Sequence, residues 1–183
     1  GGLTESTRAQ HKEIVRRLLR EKVKVSMLGW QGHFGESLTP PEQVWKLLDE
    51  YGEFGLPIEI TEFDVDTRDE QSQADYTRDL LTAWFAHPRT FGFTMWGFHE
   101  KYHWRPNGAM FRADWTPKPN LAVWKNLTKE VWTTKAQMKT SADGSAKLRG
   151  FRGVYEITVR SGKEARTFRT TLGGKSPPLQ IRL

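Results

Sequence analysis

Cysteine is absent from the 183 residues, which excludes disulfides, thiolate catalysis and cysteine-ligated zinc or iron–sulfur sites in this stretch and leaves the redox compartment open. Long apolar runs are lacking as well. None approaches the roughly 18 residues that span a bilayer, so no membrane partner is expected. The opening Gly1-Gly2-Leu3-Thr4-Glu5 carries no basic stretch leading into an apolar one, so no signal peptide is visible. Position 1 is not methionine, and the two glycines run directly into a helix-like pattern; the chain is therefore expected to continue upstream of Gly1. Nucleic-acid motifs are missing too. The net charge of +6 comes partly from Arg16, Arg17, Arg20, Lys22 and Lys24 on and just after one helix, and charge alone does not make nucleic acid an expected partner.

What is present is a regular alternation of strand and helix signals. Residues 5–22 read as a helix with Ile14, Val15, Leu18 and Leu19 on one face and Thr4 as its N-cap. Val23 to Trp30 reads as a strand running into Gln31-Gly32-His33-Phe34-Gly35. Thr39-Pro40-Pro41-Glu42 combines a capping box with proline at a helix start, and Val44, Leu47, Leu48 and Tyr51 give that helix an apolar face. A second strand, residues 57–64, precedes a helix bearing Tyr76, Leu80, Leu81, Trp84 and Phe85, which His87-Pro88 stops. A third strand, residues 91–97, leads through a long loop to a helix from about Pro119. Three strand–helix units predict an α/β fold with a parallel sheet, either doubly wound or closed into a barrel. Gln31 and His33, Glu62 and Asp64, and Trp96 all lie where a strand hands over to its loop, the rim where such folds place ligands. Beyond about Thr133 the turn formers Ser141-Ala142-Asp143-Gly144, Arg160-Ser161-Gly162-Lys163 and Gly173-Gly174-Lys175 separate short β-type runs. They predict a small, sandwich-like β module over 133–183, after a first domain over 1–132.

On the residues alone, Glu62 and Asp64 share one face of a strand end by alternation, and a solvated or ion-paired carboxylate explains Glu62 as well as a catalytic one does. His33 alone reads as a satisfied structural histidine. Ile60-Thr61-Glu62-Phe63-Asp64 after Leu56-Pro57-Ile58, however, resembles the nucleophile segment of family-10 glycoside hydrolases, and Gly29-Trp30-Gln31-Gly32-His33-Phe34 resembles the sixth barrel strand of that family. Trp96-Gly97-Phe98, Trp104-Arg105-Pro106 and Asp114-Trp115-Thr116-Pro117-Lys118-Pro119 are similar, in the same order, to its eighth strand, substrate-covering loop and last helix start. The tail around Arg149-Gly150-Phe151-Arg152-Gly153-Val154-Tyr155 is similar to a β module appended to some bacterial members.

The resemblance implies a partial (β/α)8 TIM barrel, about its last three β/α units, from an endo-1,4-β-xylanase that needs no cofactor or metal and acts outside the cell on xylan or xylo-oligosaccharide. It implies Glu62 as nucleophile, His33 as its hydrogen-bonding imidazole and Asp64 as the acid fixing that imidazole, with Gln31, Trp96 and Trp104 binding substrate. A retaining mechanism needs a second carboxyl roughly 5–5.5 Å away. In the family that acid/base follows an asparagine, and no Asn-Glu pair occurs here. A whole barrel takes about 250 residues and eight strands. The first half of the barrel and the acid/base are therefore expected upstream, and the 183 residues alone are expected to be inactive. Two other functions compete: a carbohydrate-binding protein without catalysis, and a related retaining barrel hydrolase acting on glucan or mannan.

One motif points elsewhere. His99-Glu100-Lys101-Tyr102-His103 matches the H-E-x-x-H of zinc metalloproteases, which requires a helix to bring both histidines to one face. Gly97 and Arg105-Pro106-Asn107-Gly108 flank the stretch and no third ligand follows, so zinc is not expected. Asp64, Asp66, Asp69 and Glu70 fail the spacing of a calcium loop, with Arg68 at a ligand position, and read as a solvated loop. Phe98, Tyr102 and Trp115 read as loop packing, and Trp45, Trp84, Trp124 and Trp132 as the apolar faces of helices.

Overall fold

The computed structural model describes residues 4–173 and 179–181 and divides into two compact units, Gly1–Leu127 and Thr128–Leu183. The first unit runs α1 (Glu5–Arg20), β1 (Leu28–Trp30), β2 (His33–Phe34), α2 (Pro41–Tyr51), β3 (Ile58–Val65), α3 (Glu70–Ala86), β4 (Thr90–Met95) and α4 (Pro119–Lys125). Helix α1 opens as expected, with the Thr4 hydroxyl accepting from Thr7 N at 3.2 Å. It stops two residues early, where Lys22 takes φ 57°. Of its four expected core residues only Val15 is buried; Ile14 and Leu19 face solvent. The basic face pairs with acids beyond it, Arg16 with Glu53 at 3.0 Å and Lys12 with Glu50 at 3.4 Å, which removes much of the local positive field at little gain in stability.

The strand expected over 23–30 forms only at Leu28–Trp30. Its partner β3 begins opposite Leu28, with Ile58, so the preceding residues have no ladder to join. The expected capping box is also not formed: Pro40 is the N-cap of α2 and no side chain caps it. The Pro40 carbonyl instead accepts from Gln43 N at 2.9 Å, and Thr39 uses its own carbonyl to accept from the Tyr76 hydroxyl at 2.7 Å. Helix α3 is capped by Asp69, which accepts from Gln71 N and Ser72 N. Phe85, assigned to its apolar face, is exposed.

Strand β3 is central. β1 and then β2 pair with one of its edges and β4 with the other, all parallel. Trp30 stands opposite Ile60 but His33 opposite Asp64, so three steps on one strand match four on β3. That extra residue is a bulge. Ile58 and Ile60 lie in the core, and so do Phe63 and Val65: the buried set changes from even to odd positions across Thr61-Glu62. The chain of β1–β2 accommodates this at Gly32, whose φ of +84° favours glycine and where a Cβ would stand 3.0 Å from Ile60 Cγ2.

Between sheet and helices lie Tyr51, Leu48, Ile58, Ile60, Phe63, Leu80 and Trp84, with Trp84 edge-on to Trp30 and Phe93. Leu80 has 0% exposure, and its replacement by alanine is expected to cost about 2–5 kcal/mol, measured as a shift in the denaturant midpoint of the chain.

The second unit contains an antiparallel hairpin, β5 (Gly153–Ser161) with β6 (Glu164–Leu172). Its two-residue turn starts at Gly162, φ +60°, as a glycine-first hairpin turn requires. Tyr155, Ile157, Val159, Phe168 and Leu172 form the less exposed face. The Ser141–Gly144 turn is present, closed by Gly144 N donating to Ser141 O at 2.9 Å. There Asp143 accepts from the Ser141 hydroxyl and Ser145 N, which hold its carboxyl down at about 2. The third expected turn falls at Gly174-Lys175, outside the described residues. A sandwich needs two sheets, and the described residues of this unit contribute one.

Candidate active site

The bulge decides which way the rim of β3 faces. Unbroken alternation would put Glu62 and Asp64 on the same side as Ile58 and Ile60, against the helices. With the extra residue, Phe63 and Val65 take the helix side and Glu62 and Asp64 turn to the other face. There β2 presents His33 between them: His33 Nε2 lies 3.2 Å from Glu62 Oε2 and Nδ1 lies 2.9 Å from Asp64 Oδ2. Asp64 has no exposed surface, whereas the Glu62 side chain keeps 25% of its own. One carboxylate is thus structural and internal, and the other is open to a ligand.

Trp96 and Trp104 complete the walls. Trp104 stands edge-on to His33 at 4.7 Å between ring centroids and Trp96 at 6.4 Å, and both indoles are about half exposed. Gln31 is held at the rim, where its carbonyl accepts from Glu62 N at 2.9 Å. All six expected site residues therefore meet at one end of the sheet. A cavity of about 550 Å³ touches Gln31, His33 and Trp104 but also His11, Leu47 and Trp84, and neither Glu62 nor Trp96 lines it. The surface bearing chemistry is the open face beside it.

Two contributions were not foreseen. The Trp104 indole N–H donates to Asp64 Oδ2 at 2.8 Å, so this tryptophan fixes the acid as well as walling the site. His103, offered by the zinc-like motif, has a fully buried side chain. Its Nδ1 accepts from Arg105 N at 3.0 Å, which leaves the proton on Nε2 to donate to the Trp96 carbonyl; Asp64 Oδ2 is 3.7 Å away. His103 therefore ties the end of β4 to the Trp104 turn. Its slot is lined by glycine. A Cβ on Gly97, which has φ +68°, would stand 2.6 Å from His103 Cδ2, and one on Gly108 would stand 3.0 Å from Cε1. Gly97→Ala is expected to destabilise the first unit by about 1–3 kcal/mol through backbone strain and overpacking, read by denaturant unfolding followed through tryptophan fluorescence.

The remaining residues of the H-E-x-x-H stretch also diverge. Residues Glu100–Tyr102 form a single 3₁₀ turn, the His99 ring lies tilted against Trp115 at 4.1 Å between centroids, and Glu100 pairs with the buried Lys118 at 3.2 Å. Burial opposes ionisation of Glu100, but hydrogen bonds from Lys118 and Ala113 N outweigh it and hold this carboxyl below its ordinary range. No group of three or more side chains placed to hold a metal occurs among the described residues. The acidic loop is not simply solvated: Asp66 accepts from Asn107 Nδ2 at 3.1 Å, Asp69 caps α3 and Glu70 pairs with Arg112. Nor do Phe98, Tyr102 and Trp115 pack away, since each is more than half exposed.

Comparison with known proteins bears on the fold that carries this arrangement. Residues 4–127 match the model of glycosyl hydrolase family 10. The chain is 38% identical over 169 residues to anti-sigma-I factor RsgI6 of Acetivibrio thermocellus, covering 91% of this chain and 22% of that protein. It is 34% identical over 158 residues to endo-1,4-beta-xylanase 1 of Arabidopsis thaliana, covering 82% and 16%. Among solved structures, native xylanase 10B from Thermotoga maritima superposes with a TM-score of 0.59 at 22% identity, over 68% of this chain and 43% of that one. The chain thus spans about a fifth of the length of these curated relatives, and its first unit has the fold of part of a (β/α)8 barrel. The model match covers more than half of the residues, and the chain belongs to glycosyl hydrolase family 10.

Proposed function

We propose that the protein containing this chain is a retaining endo-1,4-β-xylanase that cleaves xylan outside the cell, with Glu62 as its nucleophile. The observation that carries the reading is the array Glu62–His33–Asp64, with one carboxylate exposed, one internal and an imidazole within 3.2 Å of both, between two half-exposed indoles. Flat aromatic faces suit the C–H faces of pyranose rings, and the Arabidopsis endo-1,4-beta-xylanase 1 described above is a relative.

In this mechanism Glu62 attacks the anomeric carbon as the bond to the leaving oxygen breaks. A carboxylic acid on the opposite side of the ring protonates that oxygen. Water, deprotonated by the same residue, then displaces Glu62 and restores the original configuration. His33 and Asp64 hold the Glu62 carboxylate in the attacking position, while Gln31, Trp96 and Trp104 hold the sugar. Asp64 is committed to His33 and Trp104, so it does not serve as the acid. That residue belongs to the part of the protein that completes the barrel, and the 183 residues alone do not hydrolyse xylan.

The similarity to a protein named as an anti-sigma factor favours one second reading, a non-catalytic carbohydrate-binding role for the same face. Incubating the full-length protein with xylan, glucan and mannan while following the anomeric proton by NMR separates them. Xylan cleaved with the β-anomer appearing first is the expected result. Cleavage of only glucan or mannan moves the substrate, and binding of xylan without cleavage establishes the second reading.

A further inference from the structure

Three aromatic rings outside the Glu62 array face solvent on the loop that follows β4: Phe98 is 56%, Tyr102 78% and Trp115 57% exposed. They form one group. Trp115 lies 6.2 Å from Phe98 and 4.1 Å from His99, and Tyr102 lies 5.3 Å from His99, so the buried His99 ring links Tyr102 to Trp115.

The backbone beneath them is held firmly. Phe98 O accepts from Phe111 N at 2.8 Å, Glu100 N donates to Phe111 O at 2.9 Å, and Lys118 N donates to Met110 O at 2.9 Å. Trp115 sits at the tip of the resulting turn with φ 68°, a left-handed conformation that bulky residues rarely adopt. Its N–H donates to Arg112 O, and Asp114 braces the next residue by accepting from Thr116 N and its hydroxyl. Strained residues that the surroundings hold in place gather at functional sites.

The size of the patch indicates what covers it. Three rings with about 150–250 Å² each, little more than half exposed, offer about 400 Å². A stable protein partner needs roughly 800 Å² per side, whereas a sugar chain laid over successive rings needs less. The patch also lies next to the site along the chain. Tyr102 is two residues from Trp104, at most about 7 Å along the chain, and only the buried His103 separates them. The Tyr102 ring carries a hydroxyl at its exposed tip, and Lys101 Nζ lies 5.8 Å from its centroid, so hydrogen-bonding groups border the apolar faces.

We propose that Phe98, Tyr102 and Trp115 form a second carbohydrate-binding surface, distinct from the Glu62 site, that takes further sugar rings of a β-1,4-linked polysaccharide chain. The identity of that polysaccharide as xylan rests on the function proposed above. The surface adds avidity for polymer and is not needed for a short oligosaccharide.

The test uses the full 183-residue chain in affinity electrophoresis through gels containing soluble xylan, glucan or mannan, beside titration with xylobiose. The variants are Trp104→Ala and the pair Tyr102→Ala with Trp115→Asn, the asparagine tolerating the left-handed backbone. Far-UV circular dichroism confirms that the exposed replacements keep the fold. The expected result is that the pair reduces retardation by xylan about tenfold or more and leaves xylobiose binding unchanged, while Trp104→Ala weakens xylobiose binding. Equal retardation of the parent chain and the pair, or no retardation of the parent by any of the polymers, overturns the surface without touching the Glu62 reading. Retardation by glucan or mannan alone, lost in the pair, keeps the surface and overturns xylan as the substrate. A self-associating chain that the pair renders monomeric in sedimentation, with xylan binding unaltered, replaces the sugar by a second copy and overturns the proposal.

Discussion

Glu62→Gln in the full-length protein is expected to reduce the hydrolysis of xylan by about 10⁴- to 10⁶-fold, the range reached when a covalent nucleophile is removed. The replacement is nearly isosteric, and its amide can still meet His33 Nε2, 3.2 Å from the present carboxylate oxygen. The fold and xylobiose binding should therefore survive. The loss lies in kcat, because the missing step is attack at carbon and not recognition. Glu62→Ala offers a second readout. It leaves room for azide, which attacks the anomeric carbon from the vacated side as the aglycone departs, and the product is the inverted glycosyl azide. Residual activity within tenfold of the parent for both variants would remove Glu62 from the mechanism.

Asp64→Ala is expected to have the largest effect on stability, about 3–5 kcal/mol, the cost of leaving one partner of a buried pair without the other. A single oxygen, Asp64 Oδ2, stands 2.9 Å from His33 Nδ1 and accepts from Trp104 Nε1 at 2.8 Å. The alanine variant takes this oxygen away from both the buried His33 Nδ1 and the Trp104 indole N–H. Asp64→Asn retains one acceptor oxygen and should cost less than half as much while still disturbing His33. Denaturant unfolding of the 183-residue chain gives both values by linear extrapolation. An alanine variant within about 1 kcal/mol of the parent would show that Asp64 is not the centre of this network.

Much of this was legible in the sequence because periodicity reports burial. Val44, Leu48 and Tyr51 in α2, and Tyr76, Leu80 and Trp84 in α3, recur at helical spacing and are all buried. What failed depended on partners distant in the chain. Residues 23–27 have strand character, but their neighbour begins only at Ile58. Thr39 looks like a cap, but its carbonyl is taken by the Tyr76 hydroxyl and the Pro40 carbonyl receives the first helical N–H groups. His99 and His103 match a metal motif because a pattern counts residues and ignores whether they are helical. The flanking Gly97 and Gly108 were the better signal, since they leave room for a ring. The bulge in β3 also left a trace: apolar residues fall at 58 and 60, then at 63 and 65. That break in parity was there to be read, and the alternation that grouped Glu62 with Asp64 did not use it.

The same break separates two demands that usually compete for one strand. Before it, the chain obeys the packing rhythm of the interior; after it, the rhythm resumes half a beat late and frees the acidic positions for the mouth of the sheet. Flattening the bulge at constant length would restore perfect rhythm and a tidier ladder, and would point the carboxylates of Glu62 and Asp64 into the helices. Regularising this strand would in this way withdraw both acids from the open face, which places a limit on stabilising the chain by idealising its backbone.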